Sequence, residues 1–273
     1  MMTTYMSCPL QAKFREIIKL PYQQNAKASF GSIIHKCLDE YNHTGDIDTA
    51  LSNFKKWWHE PELLGVAPDY WPKFTTYSSL RTRGIEILEE YHKKNKWETR
   101  KVVATEHRFC VPFGEHELSG IVDLLEVKKD GKGQKVLNVI DYKTNSTAPS
   151  KTNLRLNIQF TTYVYAAMQP EFWFGNGEDK YPPIPEADKW FSSLQDAKRR
   201  GVWYHLWTNK AIDAGDRDDE DFMRLYRCCV EIEKAIKNDV YVPNISGESC
   251  TFCDYIEPCG LPINPRTYDP DKE

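Results

Sequence analysis

The chain has 273 residues, 40% of them hydrophobic and 13% aromatic, enough to bury one substantial core with a small appended subdomain. Lys and Arg number 36 against 40 Asp and Glu, a formal net charge of −4, which excludes histone-like binding of DNA by the whole surface; a polyanion must meet a local basic patch. The opening MMTTYMSCPLQAKF has no basic flank ahead of an apolar run, and the longest uncharged stretch, Leu156 to Pro170, is 15 residues with Asn, Gln and Thr in it, so neither an export signal nor a membrane span is expected.

In chain order, Cys8-Pro9 precedes a helical pattern in which Leu10, Phe14, Ile17 and Ile18 share a face before Pro21. Ser29 or Ser32 can cap a second helix, GSIIHKCLDEY, where Ile34, Leu38 and Tyr41 repeat at helical spacing and Gly31 and His35 lie one turn apart. Residues 48–96 read as helix-rich sequence interrupted by Pro61, Pro68 and Pro72. From Lys101 the period becomes two: VVATEHRFCV, LSGIVDLLEV and KVLNVIDYKT, separated by FGEHE and KKDGKGQ, predict a three-stranded antiparallel meander. A helix is expected at 155–168, then a Pro- and Gly-rich loop or edge excursion, then a fourth strand at 202–208. The acidic DRDDED opens a last helix carrying Phe222, Leu225, Cys229, Ile232 and Ile236. The expected organisation is a single domain, 1–273: a helical N-terminal region at 1–100, meander and helix at 101–168, an insertion at 169–201, strand and helix at 202–240, and a cysteine-rich tail at 241–273.

Residues two apart in a strand share a face, so Asp141 and Lys143 of IDYKT project to one side. A hairpin centred on Lys132 would set Asp123 of GIVDLLEV opposite Asp141. Two facing carboxylates beside apolar strands repel and call for a cation, and Mg²⁺ is held characteristically by one or two carboxylates, waters and phosphate oxygens. Lys143 adjoins that place and could orient a water or stabilise charge developing on phosphorus. The bland reading of an Asp-x-Lys pair is a solvated salt bridge.

GIVD, a glycine-bearing turn, VIDYKT, a helix with Gln159 and Tyr163 one turn apart, and the distant GSIIH together resemble the RecB-like branch of the PD-(D/E)xK nuclease superfamily over roughly residues 8–259. The resemblance implies an α/β restriction-endonuclease-like core, a mixed central sheet flanked by helices. It makes Asp123 and Asp141 metal carboxylates, Lys143 the catalytic lysine and His35, of the G-x-x-x-H helix, a further ligand of Mg²⁺ or Mn²⁺. Glu106 matches an acidic position on the preceding strand, and Gln159 with Tyr163 matches a Q-x-x-x-Y signature that can face the substrate. Outside this context His35 would read as an ordinary helical histidine and Glu106 as a solvated strand residue.

Eight cysteines without an export signal suit a reducing, cytoplasmic compartment. Cys250, Cys253 and Cys259 offer three soft ligands in a short segment that Gly247 and Pro258 keep from being a regular helix, and a fourth is needed. Members of the same branch, the AddB-type and CRISPR-associated adaptation nucleases, join one early cysteine to a late C-x-x-C-x5-C around a [4Fe-4S] cluster, which implies Cys8 as the fourth ligand. Zn²⁺ is the competing occupant, and either would clip the two chain ends together. Cys37, Cys110, Cys228 and Cys229 sit in patterned segments and read as small core residues.

Lys151, Arg155 and the run Lys198, Arg199, Arg200 are candidates for phosphate contact, with ordinary solvated surface an equal reading of each and the favoured one for the run, and Tyr163, Tyr165, Phe172 and Trp173 are candidates for base stacking, although core packing explains most of these aromatics. The absence of a G-x-x-x-x-G-K-[ST] loop means no recognisable ATP motor. The expectation is a Mg²⁺- or Mn²⁺-dependent DNA nuclease, an exonuclease on single-stranded ends, alone or with a helicase, recombination or CRISPR partner. The competing expectation is a non-catalytic iron-sulfur or zinc module that binds DNA within such an assembly.

Overall fold

The computed structural model describes residues 2–21, 26–58, 76–245, 250 and 253–260; the expected breaks at Pro61, Pro68 and Pro72, and Gly247, lie outside them. In chain order the elements are α1 (Met2–Ser7), α2 (Pro9–Ala12) running into a π turn at Lys13–Ile17, α3 (Ala26–Thr44), α4 (Ile47–Trp57) and α5 (Tyr77–Lys94). The meander follows as β1 (Lys101–Phe113), β2 (His116–Lys129) and β3 (Lys135–Lys143), then α6 (Lys151–Arg155), α7 (Ile158–Ala166), α8 (Pro170–Phe174), α9 (Ala187–Ser193), β4 (Lys198–His205), β5 (Lys210–Asp213) and α10 (Asp219–Lys237). The chain forms two compact units, Gln24–Leu225 and a smaller one made of Met1–Gln23 with Tyr226–Glu273.

The larger unit is built on one five-stranded sheet in the order β1-β2-β3-β4-β5. β1, β2 and β3 are the antiparallel meander that the period of two predicts. β4 returns parallel to β3, Tyr142 opposite Tyr204, after a crossover that carries α6 to α9, and β5 closes the sheet as an antiparallel partner of β4. This is the mixed α/β architecture expected.

One face of the sheet is covered by α3, α4 and α5, whose Phe30, Ile34, Leu38, Phe54, Leu88 and Tyr91 pack with Leu124, Ile140, Tyr142, Val202 and Tyr204. Each such large side chain, once buried, contributes about 1.5–3 kcal/mol. The helices start where capping allows: the Asp46 carboxylate accepts the N–H groups of Asp48 and Thr49, and Thr76 and Ser79 exchange hydrogen bonds at the head of α5. A Cβ on Gly84 would sit 2.0 Å from the Phe54 ring, so glycine sets how closely α5 meets α4.

Three expectations are corrected. The helix expected at 155–168 is two helices, because Asn157 leaves the helical conformation (ψ 116°) and its side chain accepts the Gln159 N–H at 2.8 Å, starting α7 afresh. The insertion expected as a loop contains α8 and α9, and Phe172 and Trp173 are wholly buried; Phe172 packs on Phe109 and His107. β4 starts at Lys198, so the basic run is strand: Lys198 pairs with Asp216, Arg200 with Asp213, and Arg199 donates to the carbonyls of Gln195 and Ala197. Arg155 is likewise matched, by Asp221 at 2.7 Å. Of the four cysteines read as core residues, Cys37 and Cys110 are buried, while Cys228 and Cys229 are partly exposed.

In the smaller unit residues from opposite ends of the sequence meet. The Tyr5 hydroxyl donates to the Val240 carbonyl at 2.5 Å, Lys13 pairs with Asp239 at 2.7 Å, Asn244 donates to the Ser7 carbonyl, and Phe14 lies against Tyr255. Among the described residues no helix is long and apolar enough to cross a membrane.

Candidate metal centre and active site

The site begins with a turn. The Asp130 carboxylate accepts the N–H groups of Lys132 and Gln134 at 2.8 and 2.9 Å, and Gly133 takes the left-handed φ of +79° that the turn requires. The ladder it launches pairs Lys129 with Lys135 and Leu124 with Ile140, the register of a hairpin centred on Lys132. One step on, where Asp123 would face Asp141, a side chain takes over from the ladder: Asp123 Oδ2 accepts the Tyr142 N–H at 2.6 Å. Both aspartates are buried.

Asp141 is held from two sides. Lys143 Nζ lies 2.7 Å from its Oδ2, and Gln159 Nε2 donates to its Oδ1 at 3.1 Å. The Gln159 amide also donates to the Tyr163 hydroxyl, which in turn donates to the Ile121 carbonyl at 2.6 Å. Tyr163 is buried, with Phe109 against its ring. The Gln159–Tyr163 pair therefore ties α7 to β2 and β3 and fixes the Asp141 carboxylate.

His35 reaches the site from α3. Gly31, one turn earlier, lets the helix approach Thr144, whose Oγ1 would be 3.2 Å from a Cβ there. His35 Nδ1 is 3.4 Å from Asp123 Oδ1 and 3.9 Å from Glu106 Oε1, and one ligand atom from each of the three lies within 4.8 Å of the others. The sequence groups His35 with Asp123 and Asp141; the structure puts Glu106 into that trio, with Asp141 beside it carrying Lys143. Glu106 gets there through a backbone that no sequence pattern reveals. Its φ is +43°, in the left-handed region, and the ladder slips by one residue between Val102 and Ala104 just upstream. A non-glycine residue held this way costs of order 1–3 kcal/mol.

The electrostatics follow from packing carboxylates together out of water. Burial raises the Glu106 carboxyl to about 7, with Asp123 adding repulsion and His35 offsetting some of it. Burial raises Asp141 to about 6, opposed by Lys143 and reinforced by Asp123. Burial alone would depress the His35 imidazole, but Asp123, Glu106 and Asp141 together raise it. These groups bind protons that a divalent cation would displace. An imidazole nitrogen with carboxylate oxygens is a donor set suited to Mn²⁺ or Mg²⁺.

A further cation was missed in the sequence. Arg108, two residues beyond Glu106 on β1, is exposed, makes no hydrogen bond or ion pair among the described residues, and its charge still lowers the Glu106 carboxyl. Its only sequence signal is its place in TEHRF. Lys151 is exposed too, with no such partner among the described residues.

The expected cysteine ligands lie in the smaller unit, where all of Cys8, Cys250, Cys253 and Cys259 are partly buried thiols. Cys8 Sγ accepts the Asn244 N–H at 3.4 Å, Cys250 Sγ lies 4.0 Å from the Asn244 carbonyl, and Cys253 Sγ accepts the Tyr255 N–H at 3.4 Å. Burial pushes the Cys253 and Cys259 thiols up, and Cys8 and Cys250 add repulsion at both. Cys8 and Cys250 thus act on Cys253 and Cys259, but no three of the four sulfurs lie within 4.8 Å of one another, so the thiols share one region without forming a closed metal cage. Contrary to expectation Cys259 closes a helical turn, Ile256–Cys259, in which Pro258 is accommodated.

The family model described as PD-(D/E)XK nuclease superfamily matches residues 2–260. No curated protein matches the chain. Among solved structures, the crystal structure of SSO0001 is similar at 11% identity and a TM-score of 0.30, over 94% of this chain and 95% of that one.

Proposed function

Because the chain belongs to the PD-(D/E)XK nuclease superfamily, we propose that it hydrolyses DNA phosphodiesters with Mg²⁺ or Mn²⁺, as an exonuclease on single-stranded ends. The observation that carries this reading is the convergence of His35, Glu106 and Asp123 beside the Asp141–Lys143 ion pair. His35, Asp123 and Glu106 would hold the cation, with Asp141 completing the acidic wall. Bound there, the cation would neutralise the carboxylates, polarise a phosphodiester and make water a better nucleophile.

The chain's own groups account for the rest. Gln159 and Tyr163 keep Asp141 in one orientation, and Asp141 keeps the Lys143 ammonium at 2.7 Å, from where it can orient the attacking water and meet charge developing on the phosphoryl oxygens. Arg108 supplies a positive charge that no carboxylate among the described residues has claimed, suited to a phosphate next to the scissile one. Water attacks phosphorus, one P–O ester bond breaks, and the products are a phosphate monoester and a free hydroxyl. The preference for single-stranded ends rests on the family resemblance, as does assembly with a helicase, recombination or CRISPR-adaptation partner. With no ATP loop in the sequence, unwound ends would come from such a partner.

Cys8, Cys250, Cys253 and Cys259 would hold a [4Fe-4S] cluster of structural function, and a reducing, cytoplasmic compartment fits eight cysteines that are all thiols. The test of the nuclease reading is digestion of end-labelled single strands with Mn²⁺, Mg²⁺ or chelator. Metal-dependent loss of the label from one end supports it, and an intact strand under all conditions overturns it. Iron with acid-labile sulfide in anaerobically purified protein supports the cluster; stoichiometric zinc without sulfide replaces it.

A further inference from the structure

A cavity of about 490 Å³ opens beside the start of β1 and the end of β2, away from the carboxylate site. Its wall includes Trp97, Trp190 and four cations, Arg100, Lys101, Lys135 and Lys189, and no carboxylate. Two of the cations are matched by acids outside the wall, Arg100 by Glu126 at 3.1 Å and Lys189 by Glu186 at 2.9 Å. The other two are not. Lys135 donates to the Ser193 carbonyl at 3.2 Å, which leaves its charge uncompensated, and Lys101 is exposed with no hydrogen bond or ion pair among the described residues. The neighbouring turn adds exposed Lys129 and Lys132, while its Asp130 is occupied by backbone N–H groups. In a chain of net charge −4 this is a local positive surface of the kind a polyanion requires.

Unmatched lysines and half-buried tryptophans in one hollow suit a ligand with both phosphate and a flat apolar ring. An unpaired nucleotide has both, the base for the π face and the phosphate for the cations. We propose that this cavity is a second nucleic-acid subsite, which takes an unpaired nucleotide with its base against Trp190 and its phosphates at Lys101 and Lys135. The proposal rests on reading the protein as a nuclease of single strands and says where such a strand is held. β3 starts at Lys135 and reaches Asp141 six residues later, about 20 Å away at the rise of a strand. A strand long enough to span that distance can occupy both sites, and a shorter one is held at the subsite alone.

The experiment measures binding of the full-length protein, without divalent cation, to fluorescent single strands of about 20 and about 4 nucleotides at several salt concentrations. Trp190→Ala is expected to weaken the long strand about tenfold, and Lys101→Ala to lower the slope of log affinity against log salt by about 0.7. Trp190→Phe, which keeps a stacking face, should restore most of the lost affinity on both strands, and the long strand should remain the tighter ligand of every variant. Unchanged affinity and slope on both strands in both Trp190→Ala and Lys101→Ala overturn the subsite. A wild-type protein that binds neither strand takes down the nuclease reading and the subsite with it, a pattern distinct from wild-type binding that the variants leave untouched.

Discussion

At the carboxylate site His35, Glu106, Asp123 and Asp141 come from α3, β1, β2 and β3, held by a ladder, a backbone N–H on Asp123 and an amide on Asp141. At the thiol site Cys8 meets Cys250, Cys253 and Cys259 from the far end of the sequence, held by single bonds such as that from the Asn244 N–H to Cys8 Sγ. Both gather like groups that repel once charged and hold protons instead, but the first is fixed by the sheet ladder and the second by single hydrogen bonds. The ligand of the first site should matter for chemistry, that of the second for folding. A loop that closes over so much of the chain gains most from a crosslink.

The sharpest break in this comparison would come from Asp141. Asp141→Ala should abolish Mn²⁺-dependent cleavage while near-native melting and strand affinity remain, measured with purified protein; full activity would remove Asp141 from the chemistry. Lys143→Ala should follow with a loss in kcat of about 10²–10³, the scale of removing one charge-stabilising group from a transition state.

Next in size is Cys253→Ser, expected to lose the metal proposed for the four thiols. Hydrogen exchange should then show lost protection at residues 2–21, 238–245 and 253–260 with β2 and β3 still protected. Equal loss of protection in the sheet would show that the two sites do not differ in this way.

A smaller effect follows from pH. Unfolded carboxyls titrate near about 4. Glu106 at about 7 and Asp141 at about 6 are raised in the folded protein, so the folded state binds more protons and metal-free stability falls as pH rises from about 4 through 7. The raised His35 acts in the same direction. A bound cation removes that burden, so the Mn²⁺-induced rise in Tm should be larger at pH 7.5 than at pH 5.5; a shift independent of pH would mean that metal does not displace these protons. The smallest effect expected is that of Arg108→Ala. It should reduce the salt slope of single-strand binding by about 0.7 with kcat retained, and an unchanged slope would return Arg108 to ordinary surface.

Much of the sheet-built site was legible because its geometry is arithmetic. A turn centred on Lys132 and a period of two suffice to bring Asp123 and Asp141 together. The features that were not legible depend on backbone or on partners far along the chain. Glu106 enters through a left-handed φ and an upstream slip, neither of which has a compositional signal. Lys198, Arg199 and Arg200 read from sequence as a solvated run or a phosphate track, and the choice waits on β5 and the segment after it, whose Asp213 and Asp216 pair with Arg200 and Lys198. Arg108, alone among neutral and acidic neighbours on β1, gave no run to notice, yet among the described residues it has no such acid beside it. The helix break at Asn157 did have a signal, because asparagine is disfavoured inside a helix and favoured at its N-cap, but the apolar period running through it from Leu154 to Phe160 masked it.

The irregularity around Glu106 has a consequence for association as well. β1 is an edge strand of 13 residues, long enough for its open backbone groups to template a strand from another molecule. The slip between Val102 and Ala104 and the left-handed residue at Glu106 divide it into short pieces whose N–H and C=O groups no longer form one continuous row. The kink that carries Glu106 towards His35 and Asp123 thus also makes the edge a poorer template for another strand.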